Sequence, residues 1–213
     1  NLPRILNQNY RLFEVIVVND NSADSTYDVL IKYKKKYSNL QIINLDAKPH
    51  GMVGKKFQLK IGIESSRYAA LFLTDADCCP SSSEWLYCMQ RRITDSKKIV
   101  LGYGPYNIYP TLLNRFIRFE TVYTAIQYFS FALAKLPYMG VGRNLAYSKE
   151  LFTASNGFEK HQHLASGDDD LFINEVANGE NVNILLEKDS FVYSEPKNTW
   201  RDYYRQKTRH LST

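Results

Sequence analysis

Apolar and polar positions along this chain switch repeatedly between a period of two and a period near 3.6. Phe13-Glu14-Val15-Ile16-Val17-Val18 is a short β-branched run that stops at the polar cluster Asn19-Asp20-Asn21-Ser22. Such a run predicts a strand buried on both faces, as in a parallel sheet. Asp24 and Ser25 then offer caps for a helix that turns Tyr27, Leu30, Ile31 and Tyr33 inward. Its Lys32, Lys34, Lys35 and Lys36 lie near the C-terminal end, where cations suit the helix dipole. Leu40 to Leu45 predicts a second strand, Gly51 to Gly54 a loop, and Lys55 to Ser65 a helix carrying Phe57 and Ile61. Tyr68 to Leu73 predicts a third strand, closed by Thr74-Asp75-Ala76-Asp77. Ser82 caps a helix with Trp85, Met89 and Ile93 on one stripe, and Lys98 to Tyr103 reads as a fourth strand. This alternation argues for an α/β fold with a mostly parallel sheet between helices.

From Thr111 to Lys135 the pattern changes. Leu112, Phe116, Phe119, Tyr123 and Ile126 share one helical face, broadened by Val122, Phe129 and Leu133, with Asn114, Arg118 and Thr121 opposite. One reading is a helix packed on the sheet through that face. The other is an interfacial helix that touches a membrane or a lipid acceptor, favoured by Arg115, Arg118 and the many aromatics. Beyond it come a strand-like stretch from Met139 to Tyr147, an acidic turn Ser166-Gly167-Asp168-Asp169-Asp170, and a helix from Leu171 to Ala177. Strands near Val182–Leu186 and Phe191–Tyr193 and a last helix from Thr199 to His210 complete the pattern. No repeat, low-complexity tract or linker interrupts it, so residues 1–213 read as a single domain.

Composition narrows the classes. A hydrophobic share of 44% supports a buried core and excludes intrinsic disorder. No stretch approaches the roughly 18 apolar residues that span a membrane. The net charge of +5 permits anionic partners and selects none. The excess is too small, and too free of an aromatic-interleaved basic stripe, to predict nucleic-acid binding. Cys78, Cys79 and Cys88 form an odd, clustered set that suits a reduced compartment better than a disulfide scaffold. With no CxxC pair, a structural zinc site is not expected.

Chemistry concentrates at strand ends. Ligands of open α/β sheets bind outside the carboxyl ends of strands, which is where Asp75 and Asp77 fall. Two carboxylates one residue apart can hold one Mg²⁺ or Mn²⁺ against a diphosphate, or simply form a solvated acidic turn. Asp20 ends an earlier strand and either accepts hydrogen bonds from a base or ribose or stabilises its own turn. Lys55 stands near a helix N-terminus, where an anion is welcome. Asp168, Asp169 and Asp170 precede an apolar helix, which suits its dipole. Crowding among them also raises a carboxylate pKa and prepares a general base. On the last helix Gln206 and Arg209, three apart, share a face that can grip a diphosphate.

Taken in order, these segments resemble the motifs of family 2 glycosyltransferases. Val17-Val18-Asn19-Asp20-Asn21-Ser22 with Asp24 and Thr26 resembles the family's VVDDxSxDxT strand end. Gly54-Lys55 through Leu59 and Gly62 is similar to its GKxxALNxG segment, and Thr74-Asp75-Ala76-Asp77 to its DxD. Ser166-Gly167-Asp168-Asp169 looks like its ED or TED base motif, and Gln206-Lys207-Thr208-Arg209-His210 like its QxxRW. Asn19 replaces an Asp of the motif, Lys60 an Asn, and His210 the Trp beside the acceptor, which argues against a cellulose-like glucan track. Aligning Asp170-Leu171 with the family's DL would move the base from Asp169 to Asp168. The family's opening strand, usually VSVIIPxYNE, has no counterpart, so the resemblance reads the chain as an N-terminally truncated domain; members often continue into membrane helices.

The resemblance implies a GT-A fold, with a central, mostly parallel mixed sheet flanked by helices, and inverting transfer from a UDP- or GDP-sugar to a glycan or lipid-linked hydroxyl. It implies that Asp20, Lys55, Asp75, Gln206 and Arg209 bind the nucleotide sugar and that Asp77 with Asp75 holds Mg²⁺ or Mn²⁺. It places the base at Asp169 or Asp168 and His210 on the acceptor side. It further implies a place at the cytoplasmic face of the cell membrane, through segments outside this chain, with the fragment itself cytosolic. Two other readings are a non-catalytic domain that binds a nucleotide sugar or a membrane partner, and, third, a nucleotidyltransferase. The latter expects a Gly-rich phosphate loop after the first strand and has no use for the QxxRH end.

Overall fold

The computed structural model describes residues 1–45, 54–164 and 166–211, with side chains through residue 208. The predicted Gly51–Gly54 loop thus lies outside the described residues except for Gly54, as do the side chains of Arg209 and His210. A short helix α1 (Leu2–Leu6) precedes the first strand, β1 (Val15–Asp20). Helix α2 (Thr26–Lys36) carries the chain to β2 (Leu40–Leu45), which pairs in parallel with β1, Val15 opposite Leu40 and Asp20 opposite Leu45. Leu30 is the buried residue of α2, while Tyr27, expected inward, is exposed.

Helix α3 (Lys56–Glu64) leads to β3 (Ala70–Leu73), followed by the two-residue strand β4 (Cys79–Pro80), α4 (Trp85–Gln90), β5 (Ile99–Gly102) and the long α5 (Leu112–Leu133). Then come β6 (Leu145–Ser148), α6 (Lys149–Ala154), α7 (Asp170–Val176), β7 (Val182–Leu185), β8 (Val192–Tyr193) and α8 (Trp200–Leu211). The main sheet has the order β3-β6-β5-β7: β3, β5 and β7 point one way and β6 runs against its two neighbours. β4 and β8 form a small antiparallel pair.

Alternation along the central strands builds the layers. Ile99, Leu101, Leu145 and Tyr147 face a core with Ile63, Tyr128, Phe129, Phe172 and Ile173. Val100 and Ala146 face the opposite core with Trp85, Met89, Leu185 and Val192. Truncating a fully buried ring such as Phe172 to Ala would cost about 3–5 kcal/mol.

Two expectations are corrected. The stretch from Met139 is not a strand until Leu145, because residues 142–144 form a tight turn. That bend lets the Gly142 amide donate to Asp169 Oδ2 at 2.7 Å. The second correction concerns α5. Its buried face is Leu113, Asn114, Ile117, Ala125, Tyr128 and Phe129, while Leu112, Phe116, Phe119, Val122, Tyr123, Ile126 and Leu133 are exposed. The helix packs through the side that the pattern set opposite the aromatic row, where Leu113, Ile117 and Tyr128 flank Asn114.

Candidate active site

The turn after β3 and the turn before α7 meet above the C-terminal ends of the strands, and one lysine joins them. Lys55 Nζ lies 3.1 Å from Asp75 Oδ1 and 3.0 Å from Asp168 Oδ2. Burial works against the charged ammonium, but the carboxylates of Asp168 and Asp75 outweigh it and hold Lys55 above the ordinary lysine range. Asp168 is buried, and that burial, aided by Asp169, raises its carboxyl above the usual range against the opposing pull of Lys55. Asp170 is raised by burial and then by Asp169.

The acidic turn is tightly built. Asp169 caps α7, its Oδ1 accepting from the Asp170 amide at 2.9 Å while Oδ2 takes the Gly142 amide. Gly167 has φ +86, and a Cβ there would sit 2.4 Å from Leu171 Cδ1, so only glycine fits. From below, the buried Lys56 donates to the carbonyls of His161, at 2.7 Å, of Leu164, at 3.0 Å, and of Ser166. Burial holds Lys56 below the ordinary lysine range, although all three aspartates of the turn oppose it. Tyr147 is fully buried close enough to Asp168 and Asp169 for them to add to the burial that raises its phenol, and its hydroxyl has no hydrogen-bond partner among the described residues.

The turn after β3 is more open. Asp75 is half-buried and Asp77 exposed, and with the buried Cys78 they place three ligand atoms within 4.8 Å of one another. The Cys78 thiol is pushed up to about 12, first by burial and then by Asp75 and Asp77, and it donates to Asp77 Oδ1 at 3.5 Å. Two hard carboxylates at an open strand end fit a hard divalent cation; the protonated thiol behind them is a hydrogen-bond donor. A groove of about 630 Å³ lined by Arg4, Cys79, Ser81, Lys188 and Tyr193 flanks this turn and contains none of these carboxylates.

Asp20, exposed at the end of β1, accepts from Gln58 Nε2 at 2.6 Å. The neighbouring Asn19 is buried and structural, donating to Asn44 and accepting from Ser22. Gln206 is half-buried on α8 and no hydrogen bond links it to the carboxylates among the described residues. The structure therefore brings Lys55, Asp75, Asp77, Asp168 and Asp169 into one site and keeps Asp20 on the same edge of the fold. Sequence reasoning did not single out Lys56. It also missed Arg143, whose guanidinium stacks on Tyr106 at 4.4 Å and donates to Ser194 Oγ at 2.7 Å. Its place directly after Gly142 was the available signal.

Open α/β sheets bind their ligands outside the carboxyl ends of the strands, and that is where Lys55, Asp75 and Asp168 gather. Residues 2–153 match the family model Glycosyl transferase family 2, and the chain belongs to that family. It is 26% identical over 205 residues to the Probable glycosyltransferase YdaM of Bacillus subtilis, a match covering 92% of this chain and 46% of that protein. Among solved structures it resembles the mannosyltransferase PcManGT from Pyrobaculum calidifontis in complex with GDP-Man and Mn²⁺. That match has a TM-score of 0.70 and 17% identity, over 99% of this chain and 56% of that one. It also resembles TarS 1–349 of S. aureus in complex with UDP-GlcNAc, with a TM-score of 0.63, 18% identity, and 99% and 61% coverage. The chain thus spans about half the length of the curated relative it matches along most of its residues.

Proposed function

We propose that this chain is the catalytic part of an inverting glycosyltransferase that moves a sugar from a nucleoside diphosphate sugar to a hydroxyl acceptor. The observation that carries this is the Lys55 bridge, which sets a metal-type carboxylate, Asp75, and a base-type carboxylate, Asp168, on two sides of one cation. Transfer with inversion needs such a separation: negative charge must be managed at the leaving diphosphate while a proton leaves the attacking hydroxyl. Asp75 and Asp77 are the residues that would hold a divalent cation, Mg²⁺ or Mn²⁺. When bound there it would neutralise charge on the diphosphate.

The chain's own groups supply the rest. Lys55 faces the same edge and adds positive charge toward the phosphates. Asp20, with Gln58 hydrogen-bonded to it, is the proposed contact to the nucleoside. Of the acidic pair, Asp168 accepts the proton of the acceptor hydroxyl, whose oxygen attacks the anomeric carbon as the nucleoside diphosphate departs. Asp169 is the positioning residue: both its oxygens are engaged by backbone amides, whereas Asp168 has a raised carboxyl and is held by a side chain that can move. Gln206 and Arg209 of α8 are proposed contacts to the diphosphate, with His210 on the acceptor side.

The test is transfer from UDP- or GDP-sugars by the complete protein with Mn²⁺ or Mg²⁺. Asp168→Asn should lower turnover by about 10²–10⁴-fold and leave donor binding by calorimetry intact; full turnover in that variant would overturn the assignment of the base. Absence of metal-dependent donor binding by the unsubstituted protein would instead favour a non-catalytic binding domain.

A further inference from the structure

The exposed face of α5 carries an apolar row that, among the described residues, stays largely uncovered. Leu112, Phe116, Phe119, Tyr123 and Ile126 recur at helical spacing, each from 44% to 75% exposed. Phe119 and Tyr123 stack on each other at 6.3 Å in the open. The row extends over about 21 Å, roughly two thirds of the helix. At its N-terminal end Phe116 meets Trp200 of α8 at 5.6 Å, and Trp200 and Tyr204 prolong the surface, 42% and 62% exposed. The opposite face of α5 is committed to the core, and no helix among the described residues is long and apolar enough to cross a membrane.

Cations predominate among the charges around this surface. Arg115 on α5 and Arg201 and Arg205 on α8 are exposed and form no ion pair among the described residues. The two carboxylates of these helices are occupied. Glu120 accepts from the Tyr203 hydroxyl at 2.5 Å and pairs with Lys207, and Asp202 accepts from Thr199. Glu195, at the rim, is held by Asn107 and Tyr109. We propose that α5 and the start of α8 form a docking surface for an anionic bilayer, α5 lying in the interface with its apolar row among the acyl chains and Trp200, Tyr204 and the arginines at headgroup level. A helix that is apolar on its outer face, flanked by aromatics and free arginines, is built for that plane rather than for spanning it. A second copy is the less favoured occupant, because Arg115, Arg201 and Arg205 of each copy would outnumber the carboxylates, Asp202 and Glu195, left to meet them. The surface stands independently of the reading of the acidic site, and donor turnover in detergent does not depend on it.

The experiment is flotation of the complete protein with vesicles of phosphatidylcholine alone and with about 30 mol% phosphatidylglycerol. The protein should float with the anionic vesicles. Phe119→Glu with Ile126→Glu should weaken that association at least about tenfold, and Arg201→Gln with Arg205→Gln about tenfold on anionic vesicles only. All four side chains are exposed, so circular dichroism should be unchanged. In the unsubstituted protein, Trp200 fluorescence should be quenched by brominated acyl chains while the buried Trp85 is spared. No flotation with anionic vesicles would overturn the proposal. So would a dimer in sedimentation velocity, without lipid, that Phe119→Glu with Ile126→Glu disperses, since it would assign the face to a second copy.

Discussion

The turn bearing Asp75 and Asp77 and the turn bearing Asp168, Asp169 and Asp170 offer the same functional group in opposite settings. In the first, the carboxylates stand half or fully in solvent, with one lysine and one thiol as their side-chain partners. In the second, a glycine at positive φ, two backbone amides and two lysines fix the chain, and burial raises two of the three carboxyls. The difference matches two chemical tasks. A cation needs ionised, accessible oxygens that can reorganise around it, whereas a proton acceptor works best with a raised pKa and a fixed position.

The sharpest way to break this contrast is at Asp168. Asp168→Asn should lower kcat by about 10²–10⁴-fold, read as sugar transfer at saturating donor. Because the folded carboxyl is raised, the rate of the unsubstituted protein should climb as pH rises through that value. The stability it contributes runs the other way, present at low pH and lost as pH rises through the folded pKa. Asp168→Asn should therefore remove a pH dependence of stability as well as activity, which thermal melts at acidic and neutral pH would reveal. On the open side, Asp77→Ala should abolish metal-dependent donor binding while leaving the melting temperature nearly unchanged, since an exposed carboxylate contributes little to the fold. Calorimetry with and without Mn²⁺ checks it.

Lys56 sharpens the contrast next. Replacing it with Met would leave the carbonyls of His161, Leu164 and Ser166 without their donor, at a cost of about 2–4 kcal/mol. Hydrogen exchange should quicken between residues 161 and 170 before it does in β5 or β6. A thermal melt unchanged from the parent would show that the turn holds itself.

How much of this was legible depended on whether local pattern and packing agreed. Val15 to Val18 and Ala70 to Leu73 are β-branched or apolar runs with polar ends, so the strands and the carboxylates after them could be placed within two residues. The pairing of Lys55 with Asp168 is a contact across the whole fold and leaves no local mark; family motifs, not spacing, pointed to its members. Lys56 sits beside Lys55 and is invisible for the opposite reason, since lysine reads as surface while its stem here is buried and its ammonium faces carbonyls. On α5, Leu113, Ile117 and Phe129 compete with Phe116, Phe119 and Tyr123 for the inward side. Large apolar residues on two sides of one helix leave the periodicity a poor guide to which side the sheet will take. β4, two residues long, is too short for any period to register, whereas the equally short β8 falls within the strand read at Phe191–Tyr193.

The smallest expected effect is at the residue that joins the two turns. Lys55 is half-exposed, so solvent screens its pairs and the stability lost in Lys55→Met should be small. Its influence on Asp168 is nonetheless directional: the ammonium lowers a carboxyl that burial raises. Without it the Asp168 carboxyl rises further, and the acid limb of the pH–rate profile should move to higher pH while the plateau above it survives. Removal of a charge from the diphosphate edge should also raise KM for the donor. A base variant lowers the plateau and a metal-ligand variant loses donor binding, so a shifted limb with a retained plateau distinguishes a lysine that couples the two turns from one that belongs to either. If the limb stays in place, the bridge plays no part in the reaction and the two turns work independently.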